Sequence, residues 1–159
     1  MADSTCLFGI DAVAWVKRSI SKMETIGSTD KRAWNVAWLQ AYRDLGGNSS
    51  VGEKPCPRAA AYGLWRVMAL NDQYDRESWP LSRVCSEFGK NALYSVIAME
   101  ILRTSPDIEP KALWKIVQHE TRRLGIQPAR SEQGEIRLVI ALHESGQFWH
   151  RANEVGSPL

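Results

Sequence analysis

Cys56 immediately precedes Pro57, and proline is tolerated in the first turn of a helix because its missing N–H has no helical partner there. A thiol at such a start meets unpaired backbone N–H groups and the positive end of the helix dipole, and both favour the thiolate. Arg58 adds positive charge beside it. A nucleophilic thiol also wants a base, which His119 or His143 supplies only if the fold brings one of them close. The competing reading makes Cys56 a small packing residue ahead of a helix start, the commoner fate of a free cysteine. Cys6 and Cys85 read as ordinary buried residues, and no Cys-x-x-Cys or protease signature surrounds any of the three.

Other chemistry has weaker support. His119-Glu120 and His143-Glu144 are not followed by the second histidine of a His-Glu-x-x-His zinc site, and no two Cys or His are spaced as a local half-site, so no metal or cofactor is expected. Glu100 and Glu120 fall on or beside apolar stripes, where burial would raise a carboxyl pKa. Each has an arginine three residues on (Arg103 and Arg123), so a helical ion pair is the expectation for both. No Walker loop and no Gly-x-Ser-x-Gly elbow is present.

Recognition of a macromolecule has more candidates. Basic residues occur at Lys17-Arg18, Lys31-Arg32, Arg58, Arg66, Arg122-Arg123, Arg130 and Arg137, and nucleic-acid binding needs such residues on one face. The chain also holds seven tryptophans. Trp34 and Trp38 share a helical face, Trp15 and Trp65 suit the same core, and Trp114 adjoins the stripe residue Leu113. Trp79 and Trp149 fall in irregular segments, where an exposed tryptophan can anchor a partner.

These residues sit on a chain of 159 residues with 44 % hydrophobic and 24 % charged content, a length and balance that predict one soluble domain spanning 1–159. The net charge of +2 is too small for a histone-like binder or an acidic tail. No apolar run is long enough to span a membrane, no basic leader opens the sequence, and three widely spaced cysteines suit a reducing compartment, so a cytoplasmic location is expected.

Apolar periodicity predicts five or six helices and almost no strand. The first runs from Leu7 to about Met23. The second is capped by Ser28 or Thr29, carries Trp34, Ala37, Trp38, Ala41 and Leu45, and stops at Gly46-Gly47. Pro57 opens the third, and Gly63 inside it, which costs about 1 kcal/mol relative to alanine, marks close packing of another backbone. Residues 71–87 are irregular, with a short turn at Pro80. A fourth helix covers Gly89 to Thr104, a fifth runs from Pro110 to Gly125, and a sixth is capped by Ser131 and ends at Ser145-Gly146. Phe148-Trp149 folds back onto the bundle, and 155–159 is a frayed tail. The expected fold is therefore an all-α, compact, single-domain helical bundle.

Cys56-Pro57-Arg58-Ala59 with Gly63-Leu64, Gly89-Lys90-Asn91 with Tyr94, Leu113-Trp114, and Glu135-Ile136 through Val139-Ile140-Ala141-Leu142 to Gly146 follow one another in order. Together they resemble an uncharacterised bacterial family of small helical domains. The resemblance covers Cys56 to Phe148 and implies an α-helical fold. It implies no activity. The leading expectation is a non-enzymatic binding module for a protein partner, with Trp79, Trp149, Arg58, Arg122 and Arg123 as candidate contact residues. The alternatives are a thiol-dependent enzyme using Cys56 and a nucleic-acid binder.

Overall fold

In the computed structural model, which describes residues 6–71 and 73–148, helix α5 (Lys90–Thr104) is the centre of the molecule. Every residue from Ala92 to Met99 is buried, and a helix that is apolar all round has to be enclosed by others. It is packed by α3 (Pro55–Arg66), α4 (Leu81–Phe88), α6 (Pro110–Arg123) and α7 (Glu135–Glu144). The pair α1 (Ala12–Ile26) and α2 (Lys31–Asp44) lies against α3 and α7. The chain is thus a mostly helical domain of seven described helices with a tiny hairpin.

That hairpin corrects the expected first helix. Leu7 pairs with Ile10, and Cys6 with Asp11, in antiparallel strands β1 (Cys6–Leu7) and β2 (Ile10–Asp11). The turn between them has positive φ at both Phe8 (54°) and Gly9 (80°), as a tight two-residue hairpin turn requires. Asp11 then caps α1 by accepting from the N–H groups of Val13 (2.9 Å) and Ala14 (3.2 Å). Leu7 and Ile10 are directly opposed across the hairpin, so they share a face as residues one helical turn apart would.

Other boundaries also shift. The cap of α2 is Asp30, which accepts from Arg32 and Ala33; Ser28 sits two residues earlier and accepts from the Asp30 N–H at 3.0 Å. Helix α3 begins at Pro55, with Pro57 buried in its first turn. The segment after Pro80 forms the eight-residue helix α4, where a short turn was expected; Leu81, Val84 and Phe88 form a buried stripe along it. Helix α7 starts at Glu135 after Gly134, not at Ser131. Phe148 folds back and is buried, whereas Trp149 and 155–159 lie outside the described residues. No helix among the described residues is long and apolar enough to cross a membrane.

Aromatic packing locks α1, α2 and α3 together. Trp15 stacks on Trp38 at 4.2 Å between ring centroids, and Trp34 stacks on Trp38 at 5.9 Å and on Trp65 at 5.4 Å. The indole N–H of Trp15 donates to the Trp38 carbonyl, and that of Trp34 to the Arg58 carbonyl. Gly63 is buried against Ala92 of α5, as its position in the sequence predicts.

Candidate functional site

Helix α6 buries Leu113, Val117 and Thr121, which leaves Trp114 half-buried on the flank of that stripe. Its ring meets Tyr94 of α5 edge-on, with centroids 5.1 Å apart. The Trp114 indole N–H reaches the Arg130 carbonyl, and the Gln118 amide donates to the carbonyls of Ala129 and Arg130. The Tyr94 hydroxyl accepts from the Ala129 N–H at 2.8 Å, and the Lys90 ammonium donates to the Gln127 carbonyl. Side chains of α5 and α6 therefore hold the connection between α6 and α7 flat against α6. Helix α7 then starts beside Trp114, and the Glu132 carboxylate caps it by accepting from Gly134 and Ile136.

The result is an open groove of about 610 Å³ between α6 and α7. Trp114, Ile136 and Ile140 form its floor. Lys111, Arg130 and Arg137 stand on its rim as cations, with Glu132 and Glu144 as the carboxylates. Its volume falls in the range of about 300–1,000 Å³ that accommodates several groups of a ligand. Among the described residues no group of three or more His, Cys, Asp or Glu gathers closely enough to hold a metal ion.

Beneath this connection three helix starts converge. Cys56 is the second residue of α3, Asn91 the second of α5, and Glu135 the first of α7. The groups acting on the Cys56 thiol are Asn91, which hydrogen-bonds to it, and the charges of Glu135, Lys54 and Glu132. Neither His119 nor His143 is among them. Burial, followed by the nearby Glu135 carboxylate, pushes the thiol up, and the Asn91 hydrogen bond and Lys54 do not offset it. The stabilised thiolate expected from a helix N-terminus is therefore not what this environment favours. Cys56 lies inside the first turn, where Lys54 is the cap position and Pro57 offers no N–H. Alkylation of Cys56 by iodoacetamide should be slow at pH 7 and should quicken only toward alkaline pH.

Glu135 is 1 % exposed, and burial raises its carboxyl above the ordinary value of 4.5 despite hydrogen bonds from its own N–H and that of Gln133. A carboxyl raised in this way binds its proton more tightly in the folded chain than in the unfolded one. Its contribution favours folding most below the unfolded value and is lost as pH rises through the higher folded value. Glu135→Gln, which mimics the protonated form, should therefore gain stability relative to the parent chain as pH rises from 4 to 7. Urea unfolding of both proteins across that range checks it, and a constant difference between them would contradict it.

Among the described residues, those singled out in the sequence lie on different elements. Trp79 is half-buried, packed on Phe88 at 5.4 Å with the Arg83 guanidinium 4.0 Å over its ring. Arg58 donates to the Glu53 carbonyl between α2 and α3. Arg122 and Arg123 are exposed in the last turn of α6, at the opposite end of that helix from Lys111. Trp149 lies outside the described residues. Arg123 does pair with Glu120 at 3.4 Å, and Glu100 engages the segment before α4. It pairs with Arg76 at 2.9 Å and accepts from the Tyr74 hydroxyl, because the segment before α4 folds across α5. Glu100 and Glu120 share only a shallow hollow of about 220 Å³. Trp114, Asn91 and Glu135 emerge as the residues of interest, and each lies in a stretch that carries the sequence resemblance.

No family model, curated protein or solved structure matches this chain. The resemblance to an uncharacterised helical family stands on its quoted residues alone.

Proposed function

We propose that this protein is a non-enzymatic binding module that takes a segment of a protein partner in the groove between α6 and α7. The observation that carries the reading is the groove's make-up: a tryptophan held in place from two sides, apolar neighbours from α7, and a charged rim. Aromatic residues flanked by arginine are the groups that dominate the energetics of protein interfaces. The reading replaces Trp79 and Trp149 with Trp114 as the anchor.

Selection of peptides from a displayed random library against the intact protein tests it. Enriched peptides should lose at least tenfold in affinity on Ile140→Glu, which places a charge on the groove floor. They should keep their affinity on Trp79→Ala. Peptides that bind Ile140→Glu as well as the parent protein would overturn the reading, provided both chains melt alike.

A second reading, a thiol-dependent enzyme using Cys56, is favoured by one arrangement. Asn91 hydrogen-bonds to the thiol, and Glu135 stands near it as a carboxyl base in place of a histidine. It requires labelling of Cys56 that is fast at pH 7 and slows on Glu135→Gln. Slow labelling at pH 7 would overturn it.

A further inference from the structure

The charges around the groove are arranged unevenly. Among the described residues, Lys111, Arg130 and Arg137 form no ion pair, whereas Arg18, Lys22, Arg76, Arg83 and Arg123 each do. Arg130 and Arg137 are exposed and lie near the start of α7. Glu132 is beside them, but its carboxylate is turned onto the N–H groups of Gly134 (2.6 Å) and Ile136 (3.1 Å). It therefore answers the positive end of α7, so this end of the groove carries two guanidinium groups against one carboxylate that is already engaged. The other carboxylate of the rim, Glu144, stands in the last turn of α7, at the helix's negative end. His143 in that turn feels both Glu144 and Asp107, which precedes α6, so this end of the groove lies beside the start of α6. One end is thus cationic with two arginines unspent, and the apolar floor follows directly from it.

Resting on the groove reading above, we propose that the occupant is a short acidic peptide segment with one large apolar side chain. Its carboxylates meet Arg130 and Arg137, and its apolar side chain lies on Trp114 and Ile140. Planar guanidinium groups bind carboxylates through paired N–H donors, which gives orientation as well as attraction. In the other half of the groove Glu144 offsets Lys111, so the carboxylates favour the end that holds Arg130 and Arg137. A nucleic acid would also meet the two arginines, but further along Glu144 offsets Lys111 and leaves a phosphate chain no net positive charge.

The test uses the full chain and four fluorescent probes read by anisotropy. They are a blocked octapeptide with one leucine followed by three glutamates, the same peptide with lysines for glutamates, the same with alanine for leucine, and an octanucleotide of thymidine. The first should bind at least tenfold more tightly than the second and third. Its affinity should fall with added salt and be lost on joint Arg130→Glu and Arg137→Glu, two exposed substitutions that leave the melting temperature unchanged. Equal affinity for the glutamate and lysine peptides, both lost on Ile140→Glu, would overturn the acidic partner while the groove reading survives. Tighter binding of the octanucleotide would overturn it in favour of a nucleic acid. Absence of binding by every probe overturns the inference, and the groove reading then stands or falls on the displayed library alone.

Discussion

Replacing Trp34 by alanine is expected to cost about 3–5 kcal/mol, and so to lower the melting temperature by roughly 6–20 °C. The ring is fully buried, stacked between Trp38 and Trp65 and tilted against Tyr62. Truncation opens a cavity at the meeting of α2 and α3 and also strips the Arg58 carbonyl of its 2.9 Å hydrogen bond. That carbonyl lies inside α3 and keeps its helical partner, so the lost indole bond adds only about 0.5–1.5 kcal/mol. Trp34→Phe separates the two effects, because it keeps most of the stacking and loses only the donor. Trp65→Ala should cost less, since that ring is only half-buried. Urea unfolding gives all three values, and a loss below about 1 kcal/mol for Trp34→Ala would mean that the neighbouring rings collapse to fill the space.

Gly63→Leu carries the second large effect. A Cβ at Gly63 would collide with the Ala92 methyl and come within 3.1 Å of its Cα, so backbone as well as side chain would have to move. The adjacent Ser95 hydroxyl, which donates to the Ala60 carbonyl at 3.2 Å, ties α5 to α3 at this crossing. Overpacking there should destabilise by about 3 kcal/mol or more, the upper end of such substitutions. The pair is testable as a cycle: Gly63→Ala alone should destabilise, and Ala92→Gly added to it should restore part of the loss. Independent, additive effects would show that the two helices do not meet at these positions.

The helical architecture was readable because its signals are local. Gly27, Gly46 and Gly125 adopt positive φ at the helix ends where the pattern breaks, and Pro106 and Pro110 bracket the connection into α6. Gly63 was readable for a different reason: an interior helical glycine is costly unless another backbone needs the space. The hairpin was hidden because Leu7 and Ile10 share a face in either conformation, and the two positive-φ residues that separate them include Phe8, which carries no turn signature. Helix α4 was hidden by its short length and by the proline ahead of it.

The groove was the least legible part. Trp114 reads as a neighbour of the stripe, and only the fold shows that Tyr94 and the Arg130 carbonyl fix it in the floor of a groove. Arg130 and Arg137 read as two of many scattered cations. Their distinction is that Glu132, the nearest carboxylate in sequence to Arg130, is consumed by the start of α7, which depends on Gly134 at φ 112° displacing the helix start from Ser131. The Cys56–Glu135 neighbourhood joins residues far apart in sequence, so a reading of the chain leaves the base to the fold, and neither His119 nor His143 acts on the thiol.

Amide shift mapping of the ¹⁵N-labelled protein, titrated with a peptide enriched from the displayed library, tests the binding-module account most directly. Binding in the groove predicts shifts confined to the Trp114 indole, Arg130 to Ile140 and the first turns of α6. Shifts centred on Trp79, or spread over α1 and α2 with the Trp114 indole unmoved, would contradict it.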